Sequence, residues 1–371
     1  MFYSMFGIIV SSPAMRFFPP FPDSAQAAAQ LAETRGNLPG ADICIIVWHK
    51  LRMPPKGEDA GALIVDHSVA LREFRADPFV REMARTPFLA WPTFLIGAGY
   101  LSLVAWCWYL VLTDRHEPLW VILSIGVAGF YAMTPVHEAA HGLISRNRTF
   151  NDVFGSIVSA TVLPCLTSVY YRWEHNQHHQ YLGDREKDPD AYVFEYPSWA
   201  KFFTWMFVDY HLAFAYVKVF HTRPLRERAF TYAAVAATLL ILALAAVTGH
   251  LLDIFLYWFI PSRISLMLFV LLFGYMPHAP GFVTLRDDGA FKASRVFLGF
   301  ERLLTPVLLF QNYHLIHHLI PTVPFYRYGR IWRAKKDFLI ANGAAVSYLD
   351  GRGRRADHPP ALPSDQALGP Q

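Results

Sequence analysis

The chain has 371 residues, of which 54% are hydrophobic, 16% are aromatic and only 17% are charged. A mean hydropathy of +0.24 favours one membrane domain with polar extensions over several soluble domains. The formal net charge of +4 is modest and the basic residues are spread along the chain, which excludes a typical nucleic-acid-binding protein. Three separated cysteines in apolar surroundings indicate free thiols rather than a disulfide framework or a zinc site: Cys44, Cys107 and Cys165.

Residues 1–60 are predicted to form a poorly ordered extension. The segment SSPAMRFFPPFPDSAQAAAQ is rich in proline, alanine and serine, and its prolines interrupt helix formation. The apolar start of the chain has no preceding basic region and no clear cleavage site, so we interpret it as a non-conforming leader or as a start codon assigned too early, with Met53 as an alternative start. We therefore expect residues 1–52 to be dispensable. The membrane domain is predicted over 61–340 and a polar tail over 341–371.

Four segments are apolar and long enough to cross a bilayer, for which about 20 residues suffice. They cover residues 87–112, 118–136, 229–247 and 251–276. The last contains Arg263, and we expect this side chain to reach the membrane surface or to pair with an acid, because an unpaired charge inside a bilayer is costly. Less apolar segments are predicted to lie at the membrane surface, at 68–85, 150–170 and 199–220. The pattern predicts an all-α integral membrane protein with four transmembrane helices and interfacial helices.

The charges between these segments predict an orientation. Three basic connections fall on one side of the membrane: SRNR at 145–148, KVFHTRPLRER at 218–228 and TLRDDGAFKASR at 284–295. The two turns on the opposite side, TDRHEP and TGHLLD, contain a single basic residue between them. By the positive-inside rule, the basic side faces the cytoplasm.

Half of the sixteen histidines lie in three windows of five residues each. On a helix, spacings of three and four place side chains on one face, so each window can direct its imidazoles at one point. Because all three windows fall on the cytoplasmic side, we expect them to meet beneath the membrane as a histidine-rich di-metal cap. The windows are HEAAH (His137 and His141), HNQHH (His175, His178 and His179) and HLIHH (His314, His317 and His318).

The first window also matches His-Glu-x-x-His, the zinc-protease signature in which Glu138 would be the general base. A zinc protease needs about three protein ligands and one open position, so eight imidazoles are too many for it. An intramembrane protease would also need an aspartate within a span, whereas the Leu-Asp-Gly of this chain, at 349–351, lies in a polar segment. A metal transporter would place its ionisable groups near the midplane of its spans rather than at one face. We interpret Glu138 instead as a candidate acceptor for the N–H of a histidine ligand.

Further side chains are candidates outside the three windows. His278 follows the last span in FGYMPHAP, where two prolines stiffen the chain, and we predict it to be a ninth metal ligand. Asp188 and Asp190 are candidate acceptors for a ligand N–H, although a turn at Pro189 explains them about as well. His211 is either functional or interfacial, and we favour the second. The other histidines are isolated and receive no role: His49, His67, His116, His221, His250 and His358.

Imidazole ligands suit zinc, copper, iron and nickel alike, so the ligand type does not identify the metal. The number of histidines suits two metal ions, and their position at the mouth of a lipid-facing domain suggests redox chemistry on an apolar substrate. This context favours two iron ions that use O2.

The order and spacing of the three histidine boxes resemble the membrane fatty acid desaturase superfamily, which includes acyl desaturases and carotenoid hydroxylases and ketolases. The family pattern is His-x(3,4)-His followed twice by His-x(2,3)-His-His, with a membrane hairpin between the second and third boxes. This chain resembles it from about residue 87 to 335. The segments RWEHNQHHQYLGDREKDPD and QNYHLIHHLIPTVPFYRYGRIW are similar to those of bacterial members.

The resemblance implies that the eight box histidines bind two irons, that O2 is a co-substrate and that the substrate is a lipid. It favours an acyl desaturase that introduces a double bond in the inner membrane of a bacterium. The alternative is a carotenoid ring hydroxylase or ketolase, because the histidine in PHAP is similar to an extra histidine of the ketolases. No cytochrome b5-like haem motif accompanies the boxes, which implies a separate electron donor, such as a ferredoxin, a rubredoxin or a cytochrome.

Overall fold

The computed structural model describes residues 67–195, 198–278, 284–285 and 289–350. Within these residues the chain is predominantly helical, with one two-stranded sheet, so the prediction of an all-α membrane fold is confirmed. The predicted poorly ordered extension, the alternative start at Met53 and the part of the polar tail beyond residue 350 lie outside the described residues.

The segment predicted as one surface helix over 68–85 forms two helices, α1 (His67–Ala76) and α2 (Pro78–Met83). The interruption has a local cause. The Asp77 carboxylate accepts hydrogen bonds from two backbone N–H groups of α2, at 3.0 and 3.1 Å, and therefore caps its start. Pro78 occupies the first turn of α2, where its missing N–H costs nothing. The prediction of a single helix over residues 68–85 is therefore wrong.

Four helices are long and apolar enough to cross a membrane, which confirms the four predicted spans. They are α3 (Trp91–Leu112), α4 (Pro118–Ala140), α10 (Leu225–Thr248) and α11 (Leu251–His278). The helix α3 starts four residues later than predicted, because Leu89 and Ser145 form a β-bridge that keeps the preceding chain extended. The helix α4 continues four residues beyond the predicted end at 136 and therefore carries most of the first histidine box.

The remaining elements lie between and after the spans. Between α4 and α10 the chain forms α5 (Arg148–Val162), α6 (Ser168–Tyr181), α7 (Tyr192–Glu195), α8 (Ser198–Met206) and α9 (Val208–Val219). After α11 it forms β1 (Arg295–Leu298), α12 (Glu301–Val307), α13 (His314–Leu319), α14 (Tyr328–Ala341) and β2 (Ala345–Tyr348). The strands β1 and β2 pair in parallel, with Arg295 opposite Ala345. The strand β2 lies beyond the boundary predicted at 340.

The two transmembrane hairpins place all histidine boxes at one end of the bundle. At the opposite end, His116 in the α3–α4 turn lies 2.6 Å from the hydroxyl of Tyr257, near the start of α11. The carboxyl ends of α4 and α11 consequently lie together at the other end, and these ends carry His137 and His278. The outer faces of the spans are apolar and exposed, as a lipid-facing surface requires: Leu240 is 60% exposed and Val247 is 82% exposed.

The helices α4 and α11 form the closest contact between spans. The Ser265 hydroxyl donates a hydrogen bond to the Gly126 carbonyl at 2.8 Å. A Cβ atom added at Gly129 would lie 2.2 Å from the Ser265 hydroxyl oxygen, so only glycine permits this approach. This contact holds the two helices whose ends carry His137 and His278.

The helix α11 contains two features that sequence periodicity does not show. Its segments Phe255–Phe259 and Val270–Tyr275 are π-helical, and the second ends directly before the turn that carries His278. A π-helical segment changes the direction in which the following side chains point and frequently occurs at functional sites. Arg263 on the same helix forms a bidentate ion pair with Asp209 at 2.8 and 2.7 Å, which agrees with the expected pairing with an acid.

Candidate metal centre

The structure brings all nine predicted histidines into one cluster. They come from the end of α4, from α6, from the end of α11 and from α13. Their side chains divide into two groups by the distances between ring nitrogens. Group A contains His137, His141, His175, His179 and His317, and group B contains His178, His278, His314 and His318.

Group A is centred on the Nε2 atom of His317. This nitrogen lies 3.1 Å from Nε2 of His137, 3.2 Å from Nε2 of His175 and 2.8 Å from Nε2 of His179. The ring of His141 completes the group, with its centroid 5.0 Å from that of His317. Hydrogen bonds cannot explain this arrangement, because an imidazole nitrogen has either one hydrogen or one lone pair and can make only one such bond.

A shared metal ion explains the same distances. When two imidazole nitrogens bind one ion at about 2.0–2.1 Å and at angles between a right angle and a tetrahedral one, they lie about 2.9–3.4 Å apart. The contacts of His317 Nε2 fall in or near this range. Four of the five group A histidines and three of the four group B histidines form sets whose potential ligand atoms all lie within 4.8 Å of one another.

The outer nitrogens of group B are held by oxygen acceptors. The Nδ1 atom of His178 lies 3.0 Å from the Asp188 carboxylate, that of His278 lies 2.9 Å from the Ala293 carbonyl, and that of His314 lies 2.7 Å from the Gln311 side-chain oxygen. Each acceptor places the hydrogen on Nδ1 and leaves the lone pair of Nε2 for a metal. The Nε2 atom of His278 is buried and has no hydrogen-bond partner among the residues that the structure describes, as expected for a metal ligand.

The family of the protein follows from comparison of its sequence with known proteins. Residues 116–349 match the family model for fatty acid desaturases. The chain belongs to the fatty acid desaturase family. One relative is the dihydrorhizobitoxine desaturase of Bradyrhizobium elkanii, which is 27% identical over 68% of this chain and 79% of the relative. Another is the sn-1 oleoyl-lipid 12-desaturase of Arthrospira platensis, 30% identical over 27% of this chain and 28% of the relative.

Membership of the desaturase family makes the protein a desaturase-like oxidoreductase of the membrane and sets aside the protease and transporter readings. The matched region contains every histidine of groups A and B. The assignment of these nine side chains as metal ligands stays a prediction, which the nitrogen distances support.

Asp188 is placed as a positioning residue for His178 rather than as a metal ligand. Its two oxygens already accept hydrogen bonds from the backbone N–H groups of Gly183 and Asp190, at 2.8 and 2.9 Å, in addition to His178. Asp190 lies farther away, with its Oδ2 3.4 Å from Nδ1 of His178. Burial alone would lower the pKa of His178, but the Asp188 and Asp190 carboxylates raise it to about 9. In the neutral ring, the contact with the Asp188 carboxylate favours a hydrogen on Nδ1 of His178.

Glu138 does not contact a histidine ring, and the interpretation of this carboxylate as an acceptor for a ligand N–H is corrected. Its oxygens accept hydrogen bonds from the Thr93 hydroxyl at 3.4 Å and from the Phe325 backbone N–H at 3.2 Å. The reason is the helical period, because adjacent residues on α4 point about 100° apart and Glu138 faces away from His137. Glu138 instead connects the end of α4 to α3 and to the loop after the third box.

The other histidines of the cluster are buried, and this favours their neutral form. Burial lowers the pKa of His175, His179 and His317 well below its usual value, and the neighbouring histidines lower it further. Neutral imidazole is the form that binds metals. His211 is not part of the cluster, since its ring stacks on Tyr192 with centroids 4.1 Å apart.

The third box begins at a strained turn that sequence reasoning missed. Leu309 and Phe310 have φ angles of 45° and 64°, a left-handed conformation that is rare for bulky residues. This turn is followed directly by Gln311, the acceptor for His314. The segment QNYHLIHH contains the only available signal, an amide three residues before the first histidine of the box.

An apolar cavity leads to both histidine groups. Its wall is formed mainly by aliphatic and aromatic side chains of α4, of the connection after α5, of α9 and of α11, among them Met133, Leu163, Leu212 and Phe269. Histidines of both groups also line the cavity. They are His137 and His175 of group A and His178 and His314 of group B. An apolar chain in this cavity would therefore lie beside the candidate metal centre.

Proposed function

We propose that the protein is a di-iron acyl desaturase that uses O2 to remove two hydrogens from adjacent carbons of a lipid acyl chain and leaves a double bond. The observation that carries this proposal is the apolar cavity whose wall includes histidines of both groups. Two irons held by these histidines would supply the oxidising power that an unactivated C–H bond requires.

The residues of the chain have three tasks in this reaction. The buried imidazoles of groups A and B provide nine nitrogens in fixed positions, and Asp188, Gln311 and the Ala293 carbonyl keep three of them in the metal-binding tautomer. The aliphatic wall of the cavity excludes water and presents one part of the substrate chain to the metals. The strained turn and the π-helical segment orient His314 and His278.

Electrons must enter from another protein. Formation of two waters from O2 consumes four electrons, of which the substrate provides two when its double bond forms. We propose a separate ferredoxin, rubredoxin or cytochrome as the source of the other two. The basic connections at the histidine end support a cytoplasmic orientation in the inner membrane of a bacterium, where such donors are found.

The names of both relatives describe desaturation, and this supports double-bond formation over the alternative, a carotenoid ring hydroxylase or ketolase. The two outcomes differ in one step, because a hydroxylase returns oxygen to the carbon whereas a desaturase removes a second hydrogen. The names also refer to different substrates, so they do not identify the substrate of this chain. The lining of its cavity is the feature that bears on this substrate.

The test is expression of the full chain in a host that lacks it, followed by mass spectrometry of all extracted lipids and pigments. We expect products that have lost two hydrogens and depend on O2, and their absence from cells that express the His317→Ala variant at the same level. Products that have gained oxygen would support the hydroxylase instead. Full activity of a zinc-loaded protein without iron would contradict both.

A further inference from the structure

The cavity has one polar region, and this region is acidic. Glu174, Asp190, Asp209 and the phenol of Tyr170 line it on the side of α6, and no lysine or arginine occurs among the lining residues that the structure describes. Two of the carboxylates are already engaged. Asp209 forms the bidentate ion pair with Arg263, and Asp190 faces the ring of His178.

Glu174 has an oxygen that nothing in the described protein satisfies. The residue is 1% exposed, and its carboxyl forms a side-chain hydrogen bond with Asp190, whereas its Oε2 atom is buried without a partner. A carboxyl oxygen accepts hydrogen bonds, so Oε2 presents an acceptor to the apolar cavity that Glu174 lines.

The hydroxyl of Tyr170 is a second buried polar group without a hydrogen-bond partner among the described residues. Tyr170 is 2% exposed. Residues separated by four on a helix are neighbours on one face, so this hydroxyl and the Glu174 carboxyl lie on the same side of α6. A buried oxygen without a hydrogen bond costs free energy, and two of them in one cavity indicate that a ligand supplies the missing partners.

We propose that the substrate carries a hydrogen-bond donor, a hydroxyl or an amino group, a few atoms from the oxidised carbon, and that Glu174 and Tyr170 bind this group. The proposal rests on the function proposed above and narrows its substrate class. Glu174 directly precedes His175 and lies four residues before His178, so a group bound to it lies beside both histidine groups. A free carboxylate offers only acceptors, so it cannot satisfy Oε2 of Glu174.

The test compares four radiolabelled probes of equal chain length: hexadecanol, hexadecylamine, hexadecyl methyl ether and palmitate. Binding is measured on the purified full-length protein in lipid nanodiscs, without an electron donor, so that no turnover occurs. We expect the alcohol or the amine to bind about tenfold to a hundredfold more tightly than the ether, which accepts but does not donate. The stronger of the two identifies the group.

The variants separate this proposal from a purely structural role. Glu174→Leu should abolish the preference for the donor, and Tyr170→Phe should reduce it several-fold. Because the Tyr170 hydroxyl has no partner in the free protein, Tyr170→Phe should leave the ligand-free melting temperature unchanged or higher. The matched controls are the exposed Glu186→Gln and Tyr232→Phe, which should retain the full preference.

Equal binding of the ether and the alcohol to the unaltered protein would overturn the inference and assign the two oxygens to buried water. Tightest binding of palmitate would overturn it as well. These outcomes do not depend on catalysis, so they are distinct from a failure of the proposed function, which would appear as a protein without iron or without an O2-dependent product.

Discussion

Groups A and B differ in how the histidines are held in place. In group B, three of four rings have an oxygen acceptor on Nδ1, and one of these acceptors is a buried carboxylate. In group A, the Nδ1 atom of His137 is buried without a hydrogen-bond partner among the described residues, and Nδ1 of His317 lies 3.2 Å from the Tyr328 hydroxyl. Oxygen acceptors on the outer nitrogens therefore support group B more than group A.

Because of this difference, we expect iron binding in group A and iron binding in group B to be weakened by different substitutions. A change in group A has to remove one of its rings, whereas group B can also be weakened from outside, through the oxygen acceptors of its rings. If both groups hold iron, substitutions of the acceptors should act on group B alone.

The largest effect is expected for His317→Ala. Its Nε2 atom contacts three other rings of group A, so its loss removes the centre of that group. We expect iron to fall from about two per chain to about one or less, with complete loss of product, while the protein stays in the membrane. Elemental analysis of the purified protein measures this. The exposed His221→Ala is the control and should retain all iron.

His278→Ala should be nearly as severe, because this ring provides group B with a ligand from α11. Within the described part of the chain its Nε2 atom has no hydrogen-bond partner, and its ring centroid lies 5.2 Å from that of His178. The control is His250→Ala at the opposite end of the same helix, where the ring pairs with Asp253. Equal and mild losses of iron in both variants would show that His278 only marks the end of the span.

Removal of the metals should make stability depend on pH. Burial, and then the neighbouring rings, lower the pKa of His175, His179, His314, His317 and His318 well below the usual 6.5. The unfolded chain therefore binds protons first, and stability is lost as pH falls below about 6.5. The raised pKa of His178, about 9, acts in the opposite direction, and its contribution is lost as pH rises through that value.

We accordingly expect the metal-free protein to have its highest melting temperature near pH 6.5, with a steep decline toward acid from the five rings of lowered pKa and a shallower decline up to about pH 9 from His178. The iron-loaded protein should show a weaker dependence on the acidic side, since bound metal holds the imidazoles neutral. Thermal unfolding in detergent, followed with and without a chelator, measures both. An acid-independent melting temperature of the metal-free protein would contradict the compact cluster.

Asp188→Asn should weaken iron binding in group B by about tenfold to a hundredfold, as expected for a lost acceptor on a ligand ring. The asparagine retains the size of the side chain but replaces a charged acceptor by a neutral amide. Iron retention during titration with a chelator measures the effect, and only one of the two irons should be released more easily. Release of both irons together would show that the groups are not independent.

Gln311→Leu should have the smallest effect. Gln311 is a neutral acceptor, and hydrogen bonds to charged acceptors are roughly twice as strong as neutral ones. We expect a loss of iron affinity of only a few-fold, again limited to group B, with desaturation reduced but present. A loss as large as that of Asp188→Asn would mean that the orientation of His314, rather than the charge near His178, limits metal binding.

Sequence reasoning was most successful where the signal is local. A run of apolar residues predicts a span because only the bilayer thickness matters, and all four spans were found, with most ends displaced by no more than four residues. Box spacing predicted eight of the nine candidate histidines because residues three or four apart share a helix face, and His278 was predicted from its position between two prolines after the last span. The helix break at Asp77 was missed, although the Asp-Pro signal for it is present in the sequence.

The division into groups was decided by the tertiary structure. Every pair of box histidines separated by four stays in one group: His137 with His141, His175 with His179 and His314 with His318. His178 is the one histidine of the second box in group B, and His317 is the one histidine of the third box in group A. Each points to a different side of its helix from the other two histidines of its box. Which side faces which metal depends on how α6 and α13 pack against each other, and no local pattern contains that information.

The sequence by itself therefore determined the class of protein, the number of spans and the set of candidate ligands, since each follows from spacing along one element. Only the tertiary structure decided the partners of that set. It turned Glu138 away from the histidines, brought Asp188 to His178 and Asp209 to Arg263, and left oxygens of Glu174 and Tyr170 facing an apolar cavity. These contacts join residues from different elements or depend on helix direction, so they arise from packing.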